Sequence, residues 1–307
     1  MAERVVLPPG VSVFERGWLS SNNILLQGRE GTALIDSGYV SHAPQTLALV
    51  EAALQGRALD LLVNTHLHSD HCGGNAALQA RYPALQTWIA PGQAAHVADW
   101  DPQALSYTPT GQNCAPFGFD ALLVPGEELR LGDLAWQVHA APGHDPHSVV
   151  LFEPASRTLV SADALWERGF GVVFPELEGQ EAFAAVGQTL DVIESLAPAL
   201  VIPGHGPAFT GVEQALAVAR ARLDGFVAQP DKHLQYASKV LLKFKLLETQ
   251  SMTLAALVAW VQATPYFVEV FHTHFADQPF AQWIEQLVQD LVRTGAASRD
   301  GEVVRNA

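Results

Sequence analysis

The chain has 307 residues, of which 49% are hydrophobic and 16% charged, and its formal net charge is −15. That composition supplies a sizeable core and too little charge for a disordered chain, and the length predicts one large domain with a smaller one attached. The negative field repels polyphosphates and anionic membrane surfaces, no apolar run reaches the roughly 20 residues of a membrane-spanning helix, and the opening MAERVVLPPGVSVFERG lacks the apolar stretch of a secretory signal. A cytoplasmic protein that acts on a small molecule, with no membrane partner and nucleic acid disfavoured as a substrate, is therefore the expectation. Only Cys72 and Cys114 are present, too few for a disulfide framework, so both are expected as free thiols.

In chain order, short apolar runs broken by turn residues between Val11 and Val40 predict antiparallel strands. Gly28 and Gly31 flank a hairpin turn, and the third run ends in Asp36-Ser37-Gly38. The spacing of Leu47, Val50 and Leu54 predicts a helix over 42–56. Leu59 to Asn64 is nearly all apolar, as in a strand buried on both faces, and leads directly into Thr65-His66. The histidines that follow are thus expected in a loop at a strand's C-terminal end, with a helix from Asn75 pointing its N-terminus at them. QTWIAP predicts the next strand.

Residues 93–120 break this rhythm, mixing Trp100, Tyr107, Phe117 and Phe119 with prolines and glycines; a lid and a segment packed on the body both fit. Strands around LRLGDLAWQVHAAPGH, SVVLFEP and TLVSADAL, a helix over 180–196 and a strand in ALVIPGHG then complete a layered sheet flanked by helices. Beyond Gln229-Pro230 the pattern turns helical, over about 234–248, 253–263 and 279–294, and ends in AASRDGEVVRN with Asp300-Gly301 as a hairpin turn. Two domains are expected, 1–228 and 229–307, and the three helices with a terminal hairpin in the second resemble a winged helix-turn-helix.

The chemistry concentrates in Thr65-His66-Leu67-His68-Ser69-Asp70-His71-Cys72-Gly73-Gly74-Asn75. Four ligand-type residues fall within six positions, and imidazole with carboxylate suits zinc, manganese or iron. Further along, Pro142-Gly143-His144, Ser161-Ala162-Asp163-Ala164 and Pro203-Gly204-His205-Gly206 each place one ligand-type residue just past a predicted buried strand. Any one of these is weak evidence alone; all four in order point to a metal centre.

This order, HxHxDH followed by a lone His, an Asp and a final His, resembles the metallo-β-lactamase-fold superfamily over residues 10–225. Asp36 in Asp36-Ser37-Gly38 resembles the family's turn aspartate, and Asp163-Ala164-Leu165-Trp166 with Gly169 and Gly171 resembles a segment of its glyoxalase II-like branch. The resemblance implies an α/β fold, the four-layer αββα sandwich, here with a small winged-helix-like C-terminal module. It also implies two divalent metal ions, zinc first, with iron or manganese as alternatives. His66, His68 and His144 would hold one ion, Asp70, His71 and His205 the other, and Asp163 would bridge them. A hydroxide held between the ions would be the nucleophile, with Asp70 as the catalytic residue that orients it. Cys72 is expected as a small buried residue, and His147 as a supporting or surface residue. His42, His96, His139, His233, His272 and His274 have no ligand spacing, and the last two are expected on the surface.

Three activities are compatible with that resemblance. Hydrolysis of a small carboxylic ester, thioester or lactone leads, although the C-terminal part lacks the basic pattern associated with glutathione binding. Endoribonuclease activity, suggested by the winged-helix-like module, is opposed by charge: residues 1–225 hold 10 Lys and Arg against 24 Asp and Glu, residues 226–307 hold 7 against 8, and Lys239, Lys243 and Lys245 are the only basic cluster. Iron-dependent sulfur dioxygenation is opposed by the complete second set of ligands. The C-terminal module is alternatively a lid or a dimerisation element. Its apolar residues Leu254, Leu257, Trp260 and Val261 are expected to pack internally, and a homodimer is the competing arrangement.

Overall fold

A computed structural model describes residues 5–307. The first half builds a six-stranded sheet: β1 (Val11–Phe14), β2 (Asn23–Gln27) and β3 (Thr32–Ile35) pair antiparallel, and β4 (Leu61–Val63), β5 (Gln86–Ile89) and β6 (Ala121–Leu122) join in parallel, in the order β1-β2-β3-β4-β5-β6. The second sheet runs β11-β10-β9-β8-β7. There β7 (Glu128–Leu131), β8 (Leu134–Ala140), β9 (Val149–Glu153) and β10 (Thr158–Ala162) are antiparallel, and β11 (Leu200–Pro203) lies parallel to β10.

Side-chain alternation along the strands stacks these sheets face to face. Ile24, Leu26, Ile35 and Val63 meet Trp136, Val138, Leu151 and Val160 in a shared inner core. The intervening Leu25, Leu34 and Leu62 point the other way, under Val50 and Leu54 of the helix Ala43–Leu54 and Leu78 of the helix Asn75–Arg81. On the far side, Leu159 and Val201 are covered by Leu190 and Ile193 of the helix Phe183–Leu196 and by Leu216 and Ala219 of the helix Val212–Ala228. The result is the αββα four-layer sandwich, because each sheet has two apolar faces and each needs a cover. The helix Val212–Ala228 is additional to the sequence expectation. Its buried face is partly alanine, Ala215 and Ala219, which gives little contrast with its exposed face.

The C-terminal part comprises the helices Pro230–Thr249, Leu254–Gln262, Pro265–Val270 and Phe280–Arg293, with β12 (Ser251–Thr253), β13 (Ala297–Asp300) and β14 (Val303–Asn306) in the order β12-β14-β13. The helix Pro265–Val270 and the π turn Phe271–Phe275 after it were not expected; the break at Thr264-Pro265 conceals their periodicity. His272 and His274 lie on that turn and are exposed. Leu257 and Val261 are fully buried in a core with Phe267, Trp283 and Ile284, which also takes in Val172 and Leu177 from the sandwich. Among the described residues no single helix is long and apolar enough to cross a membrane.

The 93–120 segment is packed against the body. Trp100 lies 5.9 Å from Tyr107 and 5.6 Å from Phe117, and these rings cluster with Leu67, Cys72 and Ile89 beneath the histidine-rich loop. It buttresses that loop.

His233, on the first C-terminal helix, is fully buried between Phe183 and Phe226, and its Nε2 accepts the N–H of Val173 at 3.0 Å. Burial, with the nearby Arg222 charge second, pushes its pKa from 6.5 down to about 4. A depressed histidine is neutral in the folded chain while the unfolded chain takes a proton. Its contribution is therefore complete above pH 6.5 and lost as pH falls toward 4, amounting to about 3 kcal/mol over that window. In His233→Gln, which keeps an acceptor for Val173, stability measured by urea unfolding is expected to fall less steeply between pH 6.5 and 4 than in the wild type; parallel curves would contradict this.

Candidate metal centre

Each ligand-type side chain sits at or beside the end of a strand. Asp36 follows β3, Thr65 and His66 follow β4, His144 precedes β9, Asp163 follows β10 and His205 follows β11. Residues Ser69–Cys72 form one helical turn, where a loop was expected, and this turn carries Asp70 and His71. Two of the delivering backbones depart from extended geometry. Asp36 is left-handed, at φ 57°, a conformation aspartate tolerates better than most residues. Ala162, immediately before Asp163, is also left-handed, at φ 46°, where the β10–β11 register shifts. Such a strained position persists only where its surroundings over-determine it, and here it swings Asp163 out of the sheet.

The seven predicted side chains converge, all buried. His66 Nε2 and His68 Nδ1 lie 3.2 and 2.8 Å from His144 Nε2, forming one set. Asp70 Oδ2 lies 3.0 Å from His205 Nε2 and 3.8 Å from His71 Nε2, forming another. Asp163 stands between them: its Oδ2 is 3.4 Å from His144 Nε2, and its Oδ1 is 3.5 Å from His71 Nε2 and 3.8 Å from His205 Nε2. Within the groups His66, His68, His144 and Asp70, His71, His205, the donor atoms lie within 4.8 Å of one another, close enough to hold a metal ion.

Hydrogen bonds at the far ring nitrogens aim these donors. His71 Nδ1 lies 2.7 Å from Asp36 Oδ2, which leaves Nε2 directed inward and without a hydrogen-bond partner although buried. His144 Nδ1 donates to the Val172 carbonyl at 2.6 Å, which turns its Nε2 toward His66 and His68. Asp36 also accepts from the backbone N–H and hydroxyl of Thr65, at 2.9 and 2.8 Å, so one carboxylate orients two segments. A buried nitrogen with its lone pair turned on neighbouring carboxylates suits a cation.

The electrostatics agree. Burial, then the charges of the other imidazoles, holds His66 and His68 well below the ordinary histidine range, the neutral state that binds metal. For His71 burial acts in the same sense but Asp36, Asp163 and Asp70 outweigh it, drawing positive charge to that position. Burial alone would raise the Asp163 carboxyl, yet His205, His71 and His144 hold it well below the usual range.

Several participating residues had no sequence signal that singled them out. Asp145 is buried, its Oδ2 3.7 Å from His68 Nε2, and burial raises its pKa. Asn22 donates to the carbonyls of Pro203 and Gly206 and pins the loop bearing His205. Trp18 stacks on the His205 ring at 5.2 Å. His147 is exposed. Cys72 is buried, with its sulfur 3.9 Å from that of Cys114 and 3.2 Å from the Tyr107 hydroxyl; both cysteines are free. Two glycines give the centre its space: a Cβ on Gly204 would collide with Asp163 Oδ1, and one on Gly171 with His144 Nδ1.

The sequence profile described as the Metallo-beta-lactamase superfamily matches residues 16–205, a span that contains all seven side chains. The chain belongs to that superfamily. Within it, the chain is 31% identical over 220 residues to a hydroxyacylglutathione hydrolase of Anaeromyxobacter dehalogenans, covering 69% of this chain and 74% of that protein. It is 26% identical over 198 residues to the hydroxyacylglutathione hydrolase of Brucella anthropi, where the match covers 61% of this chain and spans only 64% of the relative's length. Among solved superfamily structures, a metallo-beta-lactamase family protein from Thermus thermophilus matches with a TM-score of 0.59 at 18% identity, covering 98% of this chain and 100% of that one. The fold likeness therefore includes the C-terminal helices.

The crowding at Gly204 makes this superfamily centre sensitive to a single methyl group. Gly204→Ala is expected to displace the Asp163 carboxylate and lower metal content per chain, measured by plasma emission spectrometry, while the circular dichroism spectrum stays unchanged. Metal content equal to wild type would show that Asp163 does not need that space.

Proposed function

We propose that the protein is a dinuclear metal-dependent hydrolase of a small carboxylic ester, thioester or lactone. His66, His68 and His144 hold one ion, Asp70, His71 and His205 the other, and Asp163 bridges them. The observation that carries this is the placement of Asp163, whose two oxygens face different sets of imidazoles. Zinc suits such a nitrogen and oxygen donor set, and iron and manganese accept the same donors. When bound, a pair of divalent cations supplies water of near-neutral pKa and polarises the substrate carbonyl. Asp70, whose carboxylate reaches the edge of the buried centre, orients the attacking oxygen. Asp36 and Val172 keep His71 and His144 in the ligand tautomer, and the aromatic rings of Trp18 and Phe174 narrow the approach.

The hydroxyacylglutathione hydrolase names of the aligned relatives support thioesters within this class. Ribonuclease action would need phosphate contacts, but the three clustered lysines of the first C-terminal helix, Lys239, Lys243 and Lys245, are engaged within the fold. Lys239 pairs with Asp290 at 3.2 Å, Lys245 with Glu248 at 2.6 Å, and Lys243 donates to the carbonyl of Ala296 and the terminal residue Ala307. The complete second set argues against a single-iron oxygenase. We assign catalysis to residues 1–228 and a winged-helix-like supporting role to 229–307.

Asp163→Ala is expected to lose most bound metal and nearly all esterase, thioesterase or lactonase turnover in a panel that also includes β-lactams, phosphodiesters and RNA. A variant with two metals per chain and full turnover would overturn the bridging assignment. Activity confined to RNA or phosphodiesters would overturn the substrate class.

A further inference from the structure

We infer that the cleft between the sandwich and the C-terminal helices is the substrate pocket of this centre, and that Arg222 selects substrates with an anionic group on an apolar body; the inference rests on the proposed hydrolytic reading. The cleft has a volume of about 590 Å³, within the range of small-molecule sites. One end is formed by Trp18, Trp166 and His205, so it opens against the metal centre; the opposite wall is apolar, with Val240, Phe244 and Leu291. Such a wall suits an acyl or aromatic body and gives no grip on a charged polymer.

Arg222 also lines this space. Its guanidinium carbon lies 4.3, 5.3 and 5.4 Å from the ring centroids of Tyr236, Phe226 and Phe170, and among the described residues no carboxylate pairs with it. Arg220, two positions earlier on the same helix, pairs with both Asp191 and Glu194 at 2.8 Å. Three other cations line the cleft: Lys239 pairs with Asp290, Lys243 donates to the neutral oxygens of Ala296 and Asn306, and Arg168, which is exposed, is not stacked on rings as Arg222 is. Gly169 completes the cradle, because a Cβ there would strike the Arg222 guanidinium. A planar cation stacked on rings, weakly hydrated and with N–H groups free, is suited to bind a carboxylate, sulfonate or phosphate in two-pronged fashion. In the substrate this anion is distal to the scissile carbonyl, which must reach the metal centre beyond Trp18 and His205.

The test uses the full chain and three eight-carbon probes: sodium octanesulfonate, octyltrimethylammonium and 1-octanol. Binding is followed by quenching of tryptophan fluorescence, with ester hydrolysis measured in parallel. Octanesulfonate is expected to bind about tenfold or more tightly than the other two, a preference that Arg222→Met abolishes while leaving the circular dichroism spectrum unchanged. Arg222→Gln gives the same comparison should the methionine variant fail to fold. Equal affinities for the three probes, or an undiminished preference in either variant, would overturn the role of Arg222. Octanesulfonate that binds without inhibiting turnover would overturn the assignment of the cleft as the substrate pocket. Charge-selective binding that depends on Arg222, in a protein that hydrolyses no ester, thioester or lactone, would support the anion site and overturn the hydrolytic reading alone.

Discussion

Asp163 is buried with each of its oxygens turned toward a different set of imidazoles, and much of the surrounding structure serves to keep it there. A carboxylate removed from water is costly unless charge and hydrogen bonds compensate it. Here the compensation comes from three histidines and from the Trp166 indole N–H, which donates to Oδ1 at 3.2 Å. The left-handed turn at Ala162, the missing side chain at Gly204 and the parallel pairing of β10 with β11 are the local conditions for that placement. Asp36 does the corresponding work on the other sheet, joining the ends of β3 and β4 to the helical turn that carries His71. The two sheets thus meet at their strand ends through carboxylates rather than through more apolar packing.

The C-terminal helices are joined to this arrangement by more than covalent connection. Tyr39 donates its hydroxyl to Glu248 and accepts the backbone N–H of Asn113, so the sandwich, the 93–120 segment and the first C-terminal helix share one polar knot. Ser69, inside the metal-centre turn, donates to Gln112 of the same segment. Phe174 packs 4.5 Å from His68 on one side and 6.3 Å from Tyr266 on the other. Displacing the C-terminal helices would therefore disturb side chains that touch the centre.

The ligand-type residues were legible because each is a polar interruption at the end of an apolar run, a pattern that needs no distances to recognise. The sandwich followed from the resemblance those residues carry, and the alternation of Leu25 with Ile24 and Leu26 shows why two-faced burial leaves so apolar a strand. Asp145 was not legible, since an acid between His144 and Pro146 reads the same in a surface loop as in a buried one. The aromatics of 93–120 could not distinguish lid from buttress, because both need apolar surface; only the contacts with Leu67 and Cys72 decide. Lys239 and Lys243 read in the sequence only as part of a basic cluster, because their partners Asp290, Ala296 and Ala307 are too distant in sequence to leave a local trace. Arg222 lies on the alanine-lined helix that itself escaped recognition.

The order in which the donors occur along the chain also bears on biogenesis. The six strands of the first sheet end at Leu122, so they can pair early as the polypeptide emerges from the ribosome. By then His66, His68, Asp70 and His71 are already present as a short, open chelating stretch, with Asp36 to orient it. The opposing donors arrive much later, His205 last among them, and the knot at Tyr39 must wait for Glu248. Both sets of donors are therefore complete only after His205 has been synthesised and the second sheet has closed over the first.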